Sequence, residues 1–409
     1  MKIASVVGAR PQFIKIAPLL KAIAKHKEKG NHPPIHHILI HTGQHYDYQM
    51  SKIFFDELEI PEPDYNLEVG SGSHGWQTGQ MLRRVEEVLL KEKPQWALVY
   101  GDTNSTLAGA LGAVKLHIPV AHVEAGLRSF NRQMPEEINR VLTDRISTIL
   151  FCPTETAVKN LQKEGFTNIF HSGKLVKKIS GNEKIRFRPE NPLVINAGDI
   201  MYDLLILSLP LAKRKTEILR QLQLEPKKYF LITVHRAENA DDSGKMKSIM
   251  QALLELNKTV VFPVHPRTKS VLQKLGIFKT TVISQSASPS PSYWDYKNIR
   301  FLEPLSYLEM LNLEKNAQLI LTDSGGVQKE AFWLGIPTIT LREETEWVET
   351  VERGWNRLTG TDSERIIETV ESLETGKSTK PKRKNLHIYG DGDTAEKIVN
   401  ILWKTELIQ

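Results

Sequence analysis

Four carboxylates lie within one short stretch, each just beyond an apolar run or at a helix start. Asp102 follows Trp96-Ala-Leu-Val-Tyr100 and Gly101, Glu124 follows Ile118-Pro-Val-Ala-His-Val123, and Glu136 and Glu137 follow Met134-Pro135. Acidic residues at strand ends often cap helices, and Asp102 before Thr103-Asn104-Ser105 fits that role as well as a catalytic one. Glu124 is harder to read as a cap. It closes a fully apolar run and precedes Ala125-Gly126, so it is expected to face the crevice at the carboxyl ends of parallel strands. A partly desolvated carboxylate holds its proton nearer neutrality and can shuttle it. The chemistry that this stretch suggests is proton transfer.

Cations and glycines stand at other strand ends. Val7-Gly8-Ala9-Arg10-Pro11-Gln12 and Lys15 put two positive charges beside a helix start, where the helix dipole disfavours them. An anionic ligand fits that placement; so does a solvated pair. His235-Arg236 and His265-Pro266-Arg267 each close an apolar run, a pattern suited to a phosphate or pyrophosphate, although either histidine alone fits a structural role. Ile320-Leu-Thr-Asp-Ser-Gly-Gly-Val327 enters a helix through Ser324-Gly325-Gly326. Glycine lets the backbone approach an anion there, while Asp323 or Ser324 also suits a plain helix cap. Glu330, farther along that helix, is placed to reach a ribose or sugar hydroxyl. Gly70-Ser-Gly-Ser-His-Gly75 matches a dinucleotide fingerprint only formally, because no buried strand precedes it. The histidines, His41, His45 and His122 among them, show no metal-ligand spacing, so neither metal nor cofactor is expected.

The elements that must hold these residues come from a repeated rhythm of short apolar runs and helical patterns. The chain has 409 residues, 40% hydrophobic and 25% charged, enough for two domains with separate cores. Strands are expected at Ile3–Val7, Ile38–His41, Ala97–Tyr100, Val120–Val123 and Ile149–Cys152, with helices between them, one of these at Tyr48–Leu58. The rhythm resumes with strands at Tyr229–Val234, Val260–Val264, Leu319–Thr322 and Thr338–Leu341. This predicts an α/β protein of two doubly wound, Rossmann-like domains. The boundaries are 1–175 for the first domain, 193–388 for the second, and 389–409 for a C-terminal helix packing back on the first. Phe170–Pro192 reads as an interdomain segment or insertion, Ser284–Ser292 as a loop, and Lys377–Lys384 as a solvated basic linker without the aromatics of a nucleic-acid site.

A net charge of +6 and a pI near 9.0 suit an anionic ligand or weak nucleic-acid affinity without choosing between them. Cys152 lacks a second cysteine and reads as a core thiol. No signal-peptide pattern and no apolar run near the ~18 residues of a membrane helix is evident, so a soluble, cytoplasmic protein is expected.

Taken in order, the motifs resemble those of the non-hydrolysing UDP-N-acetylglucosamine 2-epimerases across nearly the whole chain. The matching pieces include Gly8-Ala-Arg-Pro-Gln12, His41-Thr-Gly-Gln-His45, Gly101-Asp-Thr103, His122-Val-Glu-Ala-Gly-Leu-Arg128, Pro135-Glu-Glu137, His235-Arg236, Thr322-Asp-Ser-Gly-Gly326 and Gln328-Lys-Glu330. The resemblance implies a glycosyltransferase-B type fold with a cleft between the domains, a homodimer, and a UDP-sugar substrate feeding surface-polysaccharide synthesis. It implies Asp102, Glu124 and Glu136 as the acid/base group, with His235 counted in the catalytic set and beside the diphosphate. Arg10, Lys15 and the Ser324, Gly325, Gly326 turn would hold the diphosphate, Glu330 the ribose, and Arg342 a further part of the nucleotide. Nucleic-acid and membrane partners are not implied.

Departures from the familiar bacterial pattern bear on the substrate. The loop Ser129–Pro135 is shorter, Thr345-Glu-Trp-Val-Glu349 replaces Thr-Glu-Arg-Pro-Glu, and Leu305 and Met310 stand where Gln and Phe are common. The activator-site pattern breaks after Gln44, so allosteric activation by substrate is not expected. These variants resemble the branch that includes archaeal members and the epimerases of UDP-2,3-diacetamido-2,3-dideoxyglucuronate.

Overall fold

Parallel strands buried on both faces need nearly continuous apolar runs, and the chain supplies two such sets. A computed structural model describes residues 1–28, 34–43, 57–176, 184–215, 217–277, 293–375 and 386–407. The Ser284–Ser292 loop, the Lys377–Lys384 run, His45, and most of the expected Tyr48–Leu58 helix lie outside the described residues.

The chain forms two units, Met1–Leu207 with His387–Gln409, and Ser208–Leu386. In the first, β1 (Lys2–Val7), β2 (His36–His41), β3 (Tyr65–Asn66), β4 (Trp96–Tyr100), β5 (Val120–Val123) and β6 (Ile149–Cys152) are joined, past β7 (Ile185–Phe187), by β8 (Leu193–Asn196). Their order is β3-β2-β1-β4-β5-β6-β8, with every pairing parallel. The direction of winding reverses between β1 and β4. In doubly wound sheets the ligand crevice opens at the carboxyl ends of the strands at that point.

The second unit repeats the plan with β9 (Tyr229–Thr233), β10 (Thr259–Pro263), β11 (Tyr293–Tyr296), β12 (Ile299–Leu302), β13 (Leu319–Thr322), β14 (Thr338–Thr340) and β15 (Asn356–Leu358). The order is β11-β12-β10-β9-β13-β14-β15, antiparallel only at β11, with the reversal between β9 and β13. Alternation along a strand sends successive side chains to opposite faces. Phe230 and Ile232 therefore join Ile249, Leu253 and Ile366 in one core, while Tyr229 and Leu231 join Ile218, Leu313 and Ala331 in another. Truncating such a residue, Phe262 for example, costs about 3–5 kcal/mol.

Two expectations are corrected. The first unit does not stop at 175, and 193 does not open the second. Leu193–Asn196 pairs in register with Ile149–Cys152 as the last strand of the first sheet, and the helix Ile200–Lys215 follows it. Phe170–Pro192 is also not wholly irregular: β7 pairs in parallel with β16 (Thr405–Leu407), far away in the sequence. Cys152 is buried, and burial pushes its thiol well above the ordinary range.

The C-terminal helix Thr394–Lys404 packs on the helix Arg10–Glu28, with Lys25 paired to Glu396. Its start is held from Ile200–Lys215, where Asp203 Oδ2 accepts a hydrogen bond from Ala395 N at 2.7 Å. Burial pushes the Asp203 carboxyl up to about 7, Asp393 nearby adds to the effect, and the hydrogen bonds from Ala395 and Thr394 oppose it. The folded protein thus binds a proton that the unfolded chain, at about 3.9, has released. This contribution to stability is full below about pH 4 and is lost as the pH rises towards 7, by at most about 4 kcal/mol. Asp203→Asn keeps an acceptor and removes the titration. Thermal melts between pH 4 and 8 should show the variant gaining on the wild type as pH rises; parallel curves would contradict the assignment.

Candidate active site

Tyr100 and Val123 are partners in register at the ends of β4 and β5, so Gly101-Asp102 and Glu124 leave the sheet side by side. Both departures are tight. Gly101 has φ +65°, and Glu124, which carries a side chain, has φ +72°. The left-handed region costs a non-glycine residue about 1–2 kcal/mol. The exit of Glu124 is pinned by hydrogen bonds from Glu124 N and Ala125 N to Phe151 O at 3.1 and 3.0 Å.

The Glu124 carboxylate forms an ion pair with Lys15, and both side chains are nearly buried. The pair lies against Gly101: a Cβ there would come within 3.2 Å of Lys15 Nζ and 3.3 Å of Glu124 Oε2. A solvated pair is therefore excluded for Lys15. Of Arg10 only the backbone is described; it opens the helix Arg10–Glu28, whose first turn holds no acidic residue. Gln12 fastens this helix to β4. Its Oε1 accepts from Gly8 N and Ala9 N at 2.8 and 3.1 Å, and its Nε2 donates to Tyr100 O at 2.9 Å.

Asp102 is not the helix cap. Thr103 caps Asn104–Lys115 through a reciprocal box with Thr106. The Asp102 carboxylate instead pairs with Arg140 and keeps about a third of its side-chain surface exposed. Asn139 Nδ2 donates to Asp102 O at 3.0 Å, so one helix, Pro135–Ile146, fixes both the backbone and the carboxylate of Asp102. The same helix separates the other two acids. Glu137 is buried and structural, accepting from Ser129 N, Ser129 Oγ and Phe130 N at 3.0 Å each and clamping the short loop. Glu136 is exposed at the helix start.

In the second unit, the β9 and β13 ends meet through Asp323. Its carboxylate accepts from His235 N at 3.1 Å and Arg236 N at 3.0 Å, and it lies 3.2 Å from His235 Nδ1. Burial works to raise the Asp323 carboxyl, but the His235 ring and the two backbone donors hold it below the usual range. The His235 ring stays partly exposed, 5.8 Å between centroids from His265. His265 caps the helix Pro266–Lys274. Ser324 caps the helix Gly325–Leu334 by accepting from Val327 N at 3.5 Å. The cap and the anion-binding readings of this turn are thus compatible, since Gly325 and Gly326 keep the helix start accessible to an anion.

Glu330 is buried and accepts from Tyr307 Oη at 2.9 Å. Arg342 pairs with Glu346 at 3.0 Å, and Arg236 reaches the same carboxylate at 3.4 Å. Sequence reading missed Arg140, Tyr307 and Glu346. Only Glu346 left a signal, four residues after Arg342. Trp347 was seen only as a departure. Its Nε1 lies 3.1 Å from where a Cβ on Gly325 would sit, and its ring centroid is 3.9 Å from Lys329 Nζ, a cation–π contact backing the turn.

Among the described residues, no helix is long and apolar enough to cross a membrane, and no cluster of His, Cys, Asp and Glu could hold a metal.

Residues 27–403 match the family model described as UDP-N-acetylglucosamine 2-epimerase. The chain is 51% identical to a UDP-N-acetylglucosamine 2-epimerase homolog of Methanococcus maripaludis, over 98% of this chain and 99% of that protein. It is 44% identical to the UDP-2,3-diacetamido-2,3-dideoxy-D-glucuronate 2-epimerase of Pseudomonas aeruginosa, over 99% and 100%. Among solved structures, the UDP-GlcNAc 2-epimerase of Methanocaldococcus jannaschii in complex with UDP-GlcNAc and UDP is similar at a TM-score of 0.79 and 45% identity, covering 98% of this chain and 99% of that one.

The geometry around Gly101 yields a direct test. Gly101→Ala should lose about 1–2 kcal/mol from its positive φ, and its methyl should push the Lys15–Glu124 pair apart. Denaturant melts and a turnover assay should both register the change; full activity at wild-type stability would refute the close approach.

Proposed function

Because the chain belongs to the UDP-N-acetylglucosamine 2-epimerase family, we propose that it inverts C2 of a UDP-2-acetamido sugar, converting UDP-N-acetylglucosamine to UDP-N-acetylmannosamine. It is an isomerase of the non-hydrolysing kind. The observation that carries the reading is the Lys15–Glu124 pair over Gly101, with Asp102 leaving the next strand end, at the switch point of the first sheet.

The C2 proton is not acidic in the resting sugar. As the bond from C1 to the β-phosphate oxygen breaks, its electron pair leaves with UDP and positive charge develops at C1. A carboxylate then takes the C2 proton, and the electrons of that C–H bond form the C1–C2 double bond of a 2-acetamidoglucal. In the return step a proton is delivered to the opposite face of C2 and the UDP oxygen re-adds at C1, restoring the bond with C2 inverted. Two faces call for more than one acid/base group, and Asp102, Glu124 and Glu136 are assigned to that work. Positioned groups of this kind contribute about 10²–10⁴-fold each.

Arg10, Lys15, His235 and the Ser324-Gly325-Gly326 turn are assigned to the diphosphate. Guanidinium, ammonium and helix-start N–H groups all favour the charge that grows on departing UDP. Glu330 is assigned to the ribose and Arg342 to a further nucleotide contact. We assign the two Rossmann-like domains to the glycosyltransferase-B type. We also assign a homodimer, supported by Phe130, Ile138 and Leu142, large apolar side chains exposed on the Pro135–Ile146 helix and its preceding loop.

A second sugar, UDP-2,3-diacetamido-2,3-dideoxyglucuronate, is supported by the relative from Pseudomonas aeruginosa and by Thr345-Glu-Trp-Val-Glu349. The two are separated by incubating each substrate in heavy water without acceptor. The expected result is deuterium at C2 of a UDP-linked product; no exchange with either sugar would sink the epimerase reading. Glu124→Gln should lower turnover at least about 100-fold while UDP binding stays within a few fold. A fully active variant would remove Glu124 from the acid/base set.

A further inference from the structure

His122 has no role in the mechanism above, yet it is fully buried directly beneath the carboxylates. It lies on β5, two residues before Glu124, and its ring spans two elements. Nδ1 is 2.7 Å from Asp144 Oδ1 on the helix Pro135–Ile146, and Nε2 is 2.7 Å from the Gly101 carbonyl oxygen at the end of β4. A carbonyl only accepts, so Nε2 must donate to it. The Asp144 carboxylate also lies 2.7 Å from Arg128 Nη1 and accepts from Gly126 N at 3.2 Å. Burial works to raise the Asp144 carboxyl, while the charges and hydrogen bonds of His122 and Arg128 hold it below the usual range. An ionised Asp144 also only accepts, so Nδ1 donates as well. Two donors on one imidazole make it the cation.

We infer that His122, held as an imidazolium by Asp144, is a positioning residue for epimerisation: it fixes the Gly101 carbonyl, and through it the turn that presents Asp102 and receives the Lys15–Glu124 pair. The Gly101 turn is thereby held on both sides of the residue: its N–H donates to Val123 O at 3.0 Å, and its carbonyl accepts from the His122 ring. The cation also places positive charge behind the carboxylates. The charged groups around it are Asp144 on its own side, Arg128 and then Glu164 beyond, at 2.6 Å from Arg128 Nε, and Lys15 with Glu124 above Gly101. Cys152, on the neighbouring strand, is held neutral by burial.

The inference rests on the epimerase reading, and the two fail differently. Without epimerase activity the wild type shows no turnover on either UDP-sugar; without the positioning role the wild type turns over and the variants match it. The test compares full-length His122→Leu and His122→Gln with the wild type. Leucine removes donor and charge, whereas glutamine offers a neutral amide donor to Gly101. His122→Leu should lower kcat about 10–100-fold with KM and UDP affinity within about threefold, since the defect lies in the proton-transfer geometry and not in UDP binding. His122→Gln should recover part of that loss. In both, the acidic limb of the kcat/KM profile should move to higher pH by at least about half a unit, because a nearby carboxylate has lost a positive neighbour. If the leucine variant does not fold, the glutamine variant still carries the pH readout. An unmoved acidic limb, or losses confined to KM or melting temperature, would overturn the proposal.

Discussion

The Lys15–Glu124 ion pair over the bare Cα of Gly101 is the constraint on which the first unit's site depends. It joins the helix after β1 to the end of β5 across the end of β4. A nearly buried pair of this kind gains little net stability, because desolvating two charges offsets most of their attraction. Its value lies in placement. Glu124 is driven into the left-handed region and Gly101 beside it, and the backbone strain is borne by a sheet whose strands are buried on both faces. Strain held by a rigid frame at a strand end is the usual mark of a site that must be shaped before the substrate arrives.

The helix Pro135–Ile146 completes that shaping from the other side. Glu137 ties down the loop before it, Asn139 and Arg140 fix Asp102, and Asp144 secures His122. One amphipathic helix thereby sets two of the strand-end turns, while Glu136 at its start remains exposed. The second unit solves a similar problem with a single buried carboxylate. Asp323 draws the turn after β9 onto the end of β13, bringing His235 and Arg236 to the helix start at Ser324. In both units these turns stand at or beside the strands where the winding order reverses.

Much of this was legible from residue order. The strands read well because a parallel strand buried on both faces has no polar alternation to disguise it. Glu124 read well for the same reason, as a charge closing an apolar run before a small-residue turn. β8 was missed because Leu193–Asn196 follows a stretch of Lys, Arg, Gly and Pro that signals a linker. The β7–β16 pairing joins residues 220 positions apart, and no local pattern encodes it. Partners were the least legible. Arg140 and Asp144 look like ordinary polar positions of an amphipathic helix, and only the fold reveals that they face Asp102 and His122. Asp102 read as a plausible cap until the reciprocal hydrogen bonds of Thr103 and Thr106 gave that role to Thr103.

The central claim is that C2 becomes a proton donor only because the bond from C1 to UDP breaks. That cleavage is read most directly by positional isotope exchange, using substrate labelled with oxygen-18 in the bridge between C1 and the β-phosphorus. Once UDP is free to rotate in the site, its β-phosphate oxygens become equivalent before re-addition. The account predicts that label moves from the bridging to the non-bridging β-phosphate positions as epimerisation proceeds. Epimerisation with the label retained in the bridge would contradict it.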